Sequence, residues 1–372
     1  MANSKLIIIA PTAPPNICGV SDYAYRIALN LEGDYESICL GVEDLPPGSV
    51  PNGVGQEGGK NVLQVLHWRE AIENAVKSGQ AYDLLLNYTP TSYAKTGLPI
   101  ALLTGLKSFQ KGSPQNRIFV FFHETWNGTP HLKLHHLIRD KFIKWSSLRI
   151  SRLSSGISVI TEHQKAKIQS ILPESRIQIN QVGANIYPAD RYSGLTSERR
   201  KGEWVVFGLS HTRLWALKAH QDLIRHLLAS GVMKKIRSIG PSDDTFAKQE
   251  AAFINEHFGE NILEQLGALS TGQVSYELLT ASGSLVGQTA DSLRKSGSFA
   301  AMAAHGTPVV CSAPRVLADP PGSALFQPEE LLADPNIISS DEGAGRIKRL
   351  HEWFWSTRSW EAISRDVKAW ME

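Results

Sequence analysis

Ser292-Leu-Arg-Lys-Ser-Gly-Ser-Phe-Ala-Ala-Met-Ala-Ala-His-Gly-Thr-Pro-Val-Val310 is the stretch whose reading decides the fold. It begins basic and rich in Gly and Ser. Residues 298–304 are small and apolar, suited to a tightly packed helix that Gly306 can stop. Thr307 and Pro308 then turn the chain into a short buried strand over 308–311. Ser296, Gly297 and Ser298 would present free backbone N–H groups beside Arg294 and Lys295, so helix dipole and cations favour an anion at one point. Helix starts are commonly polar, however. The residues alone leave two readings open, an anion site or an ordinary α/β crossover headed by two charges.

Outward from this stretch, short apolar runs alternate with helical patterns. Strands are expected at 6–10, 37–40, 84–87, 118–122, 156–160 and 177–181, with helices at 21–31, 68–78, 98–110, 131–152 and 162–172. The pattern breaks at 182–202, where Gly, Pro, Ser and basic residues cluster. It resumes with strands at 204–207, 236–239, 263–266, 284–287 and 308–311. Helices at 220–230 and 245–258, a helical turn at 276–280 and an amphipathic stretch at 345–371 accompany them. Such βαβ alternation predicts an α/β chain of two Rossmann-like domains. A length of 372 residues agrees, since it exceeds one ordinary core. Residues 1–187 form the first domain and 188–349 the second.

Composition narrows the function. With 42% hydrophobic and 20% charged residues the chain reads as an ordinary globular protein. Its net charge of +2 makes no case for nucleic acid. The apolar run at 6–10 is too short for a signal-peptide core or a membrane span. Cys18, Cys39 and Cys311 have no metal-like spacing, so a cytoplasmic location is expected. His131, His135 and His136 lack a nearby acid or Cys partner, so no metal is expected either. The helix at 131–152 carries Lys133, Arg139, Lys141, Lys144, Arg149 and Arg152 against Asp140 alone, with Leu134, Leu137, Ile138, Phe142 and Trp145 at three- and four-residue steps. That stripe either packs on its own domain or makes peripheral contact with an anionic membrane.

Four further segments can carry chemistry. The loop 11–22 holds Gly19-Val20, where a tight turn brings backbone amides near a strand end, but it lacks the Gly-x-Gly-x-x-Gly of dinucleotide oxidoreductases. Tyr88, Tyr93 and Lys95 follow the strand at 84–87; they either line a sugar-binding surface or pack as an ordinary loop. His123 and Glu124 end the strand at 118–122, on the side where open α/β sheets bind ligands. Gly208, Arg213 and Lys218 follow the strand at 204–207, with the two cations available to a phosphate.

These segments together resemble the GT-B glycosyltransferases, family-4-like branch, over nearly the whole chain. The resemblance rests on Gly19-Val20 before Tyr23, His123-Glu124, Gly208, and the Arg294–Val310 stretch with its Gly-Thr-Pro-Val-Val. It implies two Rossmann-like domains facing each other across a cleft, with the last helix, 350–372, crossing back to the first domain. It further implies sugar transfer from a nucleotide diphosphate sugar to a glycan or lipid-linked acceptor, retaining and without metal or other cofactor. Gly19, Val20, Gly208, Arg213, Lys218, Arg294, Lys295, Ser296, Gly297 and Ser298 would bind the donor. Tyr88, Tyr93 and Lys95 would meet the acceptor, and His123 with Glu124 would lie beside the transferred sugar. One departure is large. The family's usual Glu-x7-Glu pair falls on Leu293 and Ala301, and Leu209 stands at its usual Arg. The chain here resembles a bacterial subgroup with an Arg/Lys-x-Gly-Ser loop. A glycan-binding or regulatory homologue without catalysis, and a nucleotide-sugar epimerase, are the alternatives.

Overall fold

The computed structural model describes residues 5–14, 16, 18–31, 33–45, 63–126, 134–288, 290–312 and 318–372. The chain divides into two compact units, Met1–Asn180 with Ile363–Glu372, and Gln181–Ala362. The division falls at Asn180 rather than at 187. Residues 15, 17, 46–59, 127 and 131–133 of the expected loops and helix lie outside the described residues.

The first unit runs β1 (Lys5–Thr12), α1 (Gly19–Asn30), β2 (Ser37–Asp44), β3 (Gln64–His67), α2 (Trp68–Ser78), β4 (Asp83–Tyr88), α3 (Ile100–Gly112), β5 (Arg117–Phe122), α4 (Leu134–Leu153), β6 (Gly156–Val159), α5 (Glu162–Gln169) and β7 (Ile177–Ile179). Its strands form a parallel sheet in the order β3-β2-β1-β4-β5-β6-β7. Helices on both faces explain why β1 and β4 read as unbroken apolar runs, with Leu6–Ala10 and Leu84–Leu86 buried. Asp83, fully buried at the start of β4, takes two bonds from Arg117 opposite it on β5, at 2.9 and 2.7 Å, which pins the register of the pair. The strand order reverses between β1 and β4, so the chain leaves these strand ends in opposite directions and opens a crevice there.

The exposure of α4 bears on the two readings of its apolar stripe. Much of the stripe is left outside the core: Leu137, Ile138, Phe142 and Trp145 are 41%, 45%, 39% and 42% exposed. The inward face is Ile143, Ser146, Ser147 and Ile150. Small hydroxyl residues do the packing here because the backbone lies close. Ser146 Oγ donates to the Gly97 carbonyl at 3.0 Å, and a Cβ on Gly97 would stand 2.5 Å from Ile143.

The second unit runs α6 (Ser193–Thr196), β8 (Arg200–Phe207), α7 (Ser210–Ala219), α8 (Gln221–Ala229), β9 (Lys235–Ile239), α9 (Asp244–Phe258), β10 (Leu263–Gly267), α10 (Thr271–Thr280), β11 (Ala281–Leu285), α11 (Ala290–Leu293), α12 (Gly297–Ala304), β12 (Val309–Val310), α13 (Pro328–Ala333) and α14 (Asp341–Thr357). α15 (Trp360–Met371) follows, and its residues from Ile363 onward count with the first unit. The parallel sheet has the order β10-β9-β8-β11-β12, reversing between β8 and β11. Asp243 caps α9 through Phe246 N at 2.9 Å. The expected turn at 276–280 is the end of a full helix that starts with a Ser270–Gln273 capping box. The amphipathic stretch at 345–371 is two helices. Arg358, at the break, is buried and holds both oxygens of Asp319 at 3.2 Å.

Candidate active site

In the second unit the turn after β8 and the N-terminus of α12 come together. Gly208 follows β8 with φ +140°, a conformation that suits glycine. A Cβ there would lie 3.0 Å from Thr212 Oγ1 and 3.2 Å from Ser298 Oγ, so the first turn of α12 stands directly against this turn. α12 is capped by Ser296, whose Oγ accepts from Phe299 N at 3.1 Å and lies 3.1 Å from Ser298 Oγ. The helix is buried from Phe299 to Ala304, which fixes the position of its polar N-terminus.

Arg294 is anchored two residues before the cap. Its Nε donates to the Asp319 carbonyl at 2.8 Å, and Arg358 Nη1 donates to the Arg294 carbonyl at 3.1 Å. The Asp319 carboxylate is itself held by Arg358, Trp353 Nε1 at 3.1 Å and Gln181 Nε2 at 3.2 Å. Arg294 Nη1 and Nη2 make no bond among the described residues, so the fork is held by its neck. Lys295 is exposed. Lys218, also exposed, lies in the last turn of α7. That end of α7 packs on the end of β11: the next cap, His220, has Nε2 3.0 Å from the Val286 carbonyl, and a Cβ on Gly287 would be 2.9 Å from the Ala216 backbone.

Arg213 requires a correction. It does not stand available to a phosphate, because its guanidinium is 2% exposed and spent inside the unit. Nε meets Glu250 Oε1 at 3.0 Å and Ser238 Oγ at 2.8 Å; Nη1 meets the Gly208 and Pro241 carbonyls, and Nη2 meets Ser242 Oγ. Its work is to hold the Gly208 turn in shape. Leu293 and Ala301, at the positions of the family's acidic pair, are each 1% exposed within the apolar core.

In the first unit Gly19, Val20 and His123 sit at carboxyl ends of β1 and β5, with β4 between these strands. Gly19 is exposed at the start of α1, and a Cβ there would meet nothing within 4 Å among the described residues. His123 N–H continues the β4–β5 pairing to the Tyr88 carbonyl at 3.1 Å. Its ring packs on Phe121 at 4.3 Å and edge-on to Tyr23 at 5.1 Å. Burial pushes its pKa down to about 3, so the imidazole is neutral near pH 7. Nε2 lies 3.0 Å from Asn87 Oδ1, and Asn87 Nδ2 donates to the Ile9 carbonyl at 3.4 Å. With the amide oriented that way, Nε2–H is the donor and Nδ1 keeps the lone pair. A neutral ring so oriented can accept from a sugar hydroxyl or face developing positive charge. Glu124 is exposed beside it.

Tyr88 and Tyr93 are the second correction. They are 0% and 8% exposed, with rings parallel at 6.0 Å, and belong to the core rather than to a sugar-binding surface. Tyr88 Oη pairs with Ser146 Oγ at 3.2 Å, and Tyr93 Oη donates to the Asn87 carbonyl at 2.7 Å. Tyr93 therefore buttresses Asn87, the residue that orients His123, while Tyr88 ties β4 to α4. Lys95 is exposed. Asn87 and Asp319 were not expected; the only trace of Asn87 in the sequence is one amide closing an apolar strand. No cluster of three or more His, Cys, Asp or Glu suited to a metal occurs among the described residues.

No protein-family model matches the sequence, and no curated protein matches it. The structure does find likenesses. A sucrose-phosphate synthase from Thermosynechococcus elongatus aligns with a TM-score of 0.61 at 12% identity, over 98% of each chain. WaaG, a glycosyltransferase involved in lipopolysaccharide biosynthesis, aligns at 0.59 and 11%, over 97% of this chain and 98% of its own. An alpha-glucosyltransferase in complex with UDP and a 13-mer DNA containing an HMU base aligns at 0.59 and 12%, over the whole of both chains. The fold is GT-B. At such identities the likeness establishes architecture, two Rossmann-like units with parallel sheets, and nothing about substrates. The GT-B assignment accounts for the α12 stretch as part of a crossover between β11 and β12, within the second unit.

Proposed function

We propose that this protein is a glycosyltransferase that moves a sugar from a nucleotide diphosphate sugar to a glycan or lipid-linked acceptor, in the cytoplasm. One observation carries the reading: in a GT-B fold, the N-terminus of α12 stands against the Gly208 turn with the Arg294 fork anchored next to it. The Ser296 N–H, expected to be free, is spent on the Leu293 carbonyl at 3.1 Å, so the amides of Gly297 and Ser298, with Arg294 and Lys295, hold the diphosphate, and Lys218 adds a third cation. As the bond from C1 to the diphosphate oxygen breaks, charge grows on the leaving group, and fixed donors of this kind stabilise that state most. The acceptor oxygen forms the new bond to C1, and its proton leaves with the diphosphate. Neutral His123, oriented by Asn87, serves the sugar through Nδ1, while Glu124 and Lys95 serve the acceptor. The transfer retains configuration and uses neither metal nor other cofactor.

Acceptor chemistry follows from charge, since the similar folds include one bound to DNA and one of lipopolysaccharide biosynthesis. A net charge of +2 makes no case for a nucleic-acid acceptor. One observation favours a second reading, a glycan-binding homologue without catalysis: apolar residues occupy both positions of the acidic pair. Incubation with a panel of nucleotide sugars, scoring nucleoside diphosphate release with and without glycan or lipid-linked acceptors, tests the proposal. Release that depends on an acceptor supports transfer. Conversion of the sugar with no acceptor points to an epimerase, and no turnover of any donor points to the homologue.

A further inference from the structure

We infer that the outward face of α4 docks the protein on an anionic lipid bilayer. In two turns this face shows Leu137, Ile138, Phe142 and Trp145, each about two-fifths exposed. Monomeric surfaces scatter such residues singly, and a contiguous group marks a docking surface. Exposed Lys141, Lys144, Arg149 and Arg152 are interleaved with them, and Arg149 lies 5.4 Å over the Trp145 ring. At 100° per residue these eight side chains share one side of the helix, opposite Ile143, Ser146, Ser147 and Ile150.

Charge selects the occupant. Asp140 is the only acid in the helix. A second copy packed by a two-fold axis would bring these cations against themselves. A lipid surface with negative headgroups takes both components at once, apolar side chains among the acyl chains and cations at the phosphates. The helix is far too polar to cross a bilayer, and no described helix is long and apolar enough to do so. It lies in the interface plane, with the rest of the unit above it. The inference is independent of the proposed transfer reaction.

Sedimentation of the full chain with phosphatidylcholine vesicles, with and without phosphatidylglycerol, tests it without donor or acceptor. Binding should require phosphatidylglycerol and weaken with salt. Each interfacial cation contributes about fivefold, so Lys141→Gln/Lys144→Gln/Arg149→Gln should lose roughly 100-fold. Phe142→Ser/Trp145→Ser should lose most of the binding that remains at high salt. The substituted side chains are exposed, and circular dichroism with an unchanged Tm verifies folding. Absence of vesicle binding, equal binding without phosphatidylglycerol, or unchanged binding by both variants would overturn the inference. So would a dimer in solution that Phe142→Ser/Trp145→Ser dissociates, since a second copy would then be the occupant.

Discussion

Replacing Arg213 by Met separates a structural arginine from a phosphate ligand. Glu250 is fully buried, and its carboxylate is balanced by Arg213 at 3.0 Å, with Ser238 at 2.7 Å and Gln265 at 3.2 Å as further donors. Met fills the volume of the arginine stem but supplies no charge, leaving a carboxylate in the core with two neutral partners. Removing one member of such a pair costs about 3–5 kcal/mol. For a unit of this size each kcal/mol moves the midpoint by about 2–4 °C, so the variant should melt roughly 6–20 °C lower. Replacing both partners, Arg213→Met/Glu250→Leu, should recover most of that loss, because the uncompensated charge is gone. Differential scanning calorimetry of the wild type and the two variants measures this directly. A variant Arg213→Met with an unchanged melting curve and lost nucleotide affinity would refute the reasoning and return Arg213 to the phosphate.

Two further outcomes follow from the buried imidazoles and their partners. His123→Ala should lower the turnover number by about 10²–10⁴-fold with donor affinity kept, and Asn87→Leu should lower it too while costing about 1–3 kcal/mol for a stranded Nε2–H; unchanged turnover in His123→Ala would remove that residue from the chemistry. Burial holds His123 at about 3 and His305 at about 4, both below the ordinary value. The folded protein thus keeps both neutral while the unfolded chain protonates below about 6.5, so their contribution is complete above neutrality and is lost as pH falls. At about pH 5.5 the two together should cost roughly 3 kcal/mol, read as a lower urea midpoint. Imidazole resonances of His123 and His305 that titrate between about pH 6 and 7 would contradict it.

The strands were legible because parallel sheets buried on both faces demand unbroken apolar runs, and 84–87 and 118–122 supply them. α2 was legible at both ends, since the His67 side chain accepts from Arg69 N and Gly79 at φ +63° closes it. What stayed hidden depends on partners distant in sequence. Nothing near Arg213 announces Glu250, and nothing near Tyr88 announces Ser146. The α4 pattern left its packed side open because Ser146 and Ser151 satisfy their hydroxyls on main-chain or tyrosine partners and Ser147 is small enough to bury, so the packed side is the less hydrophobic one. β3 is four residues long, too short to show a period. The helix–strand course of 297–310, by contrast, was readable, because small residues and a helix stop at Gly306 are local features.

Calorimetric titration with nucleoside diphosphates and their sugars, on the wild type and on Arg294→Ala/Lys295→Ala, tests the central claim most directly. The account predicts that one nucleotide binds selectively and, at a hundred times its Kd, adds about 2.7 kcal/mol of stability. It predicts that the double variant keeps its fold and loses that binding. A folded wild-type protein that binds none of these nucleotides, or a double variant that binds as well as the wild type, would contradict it.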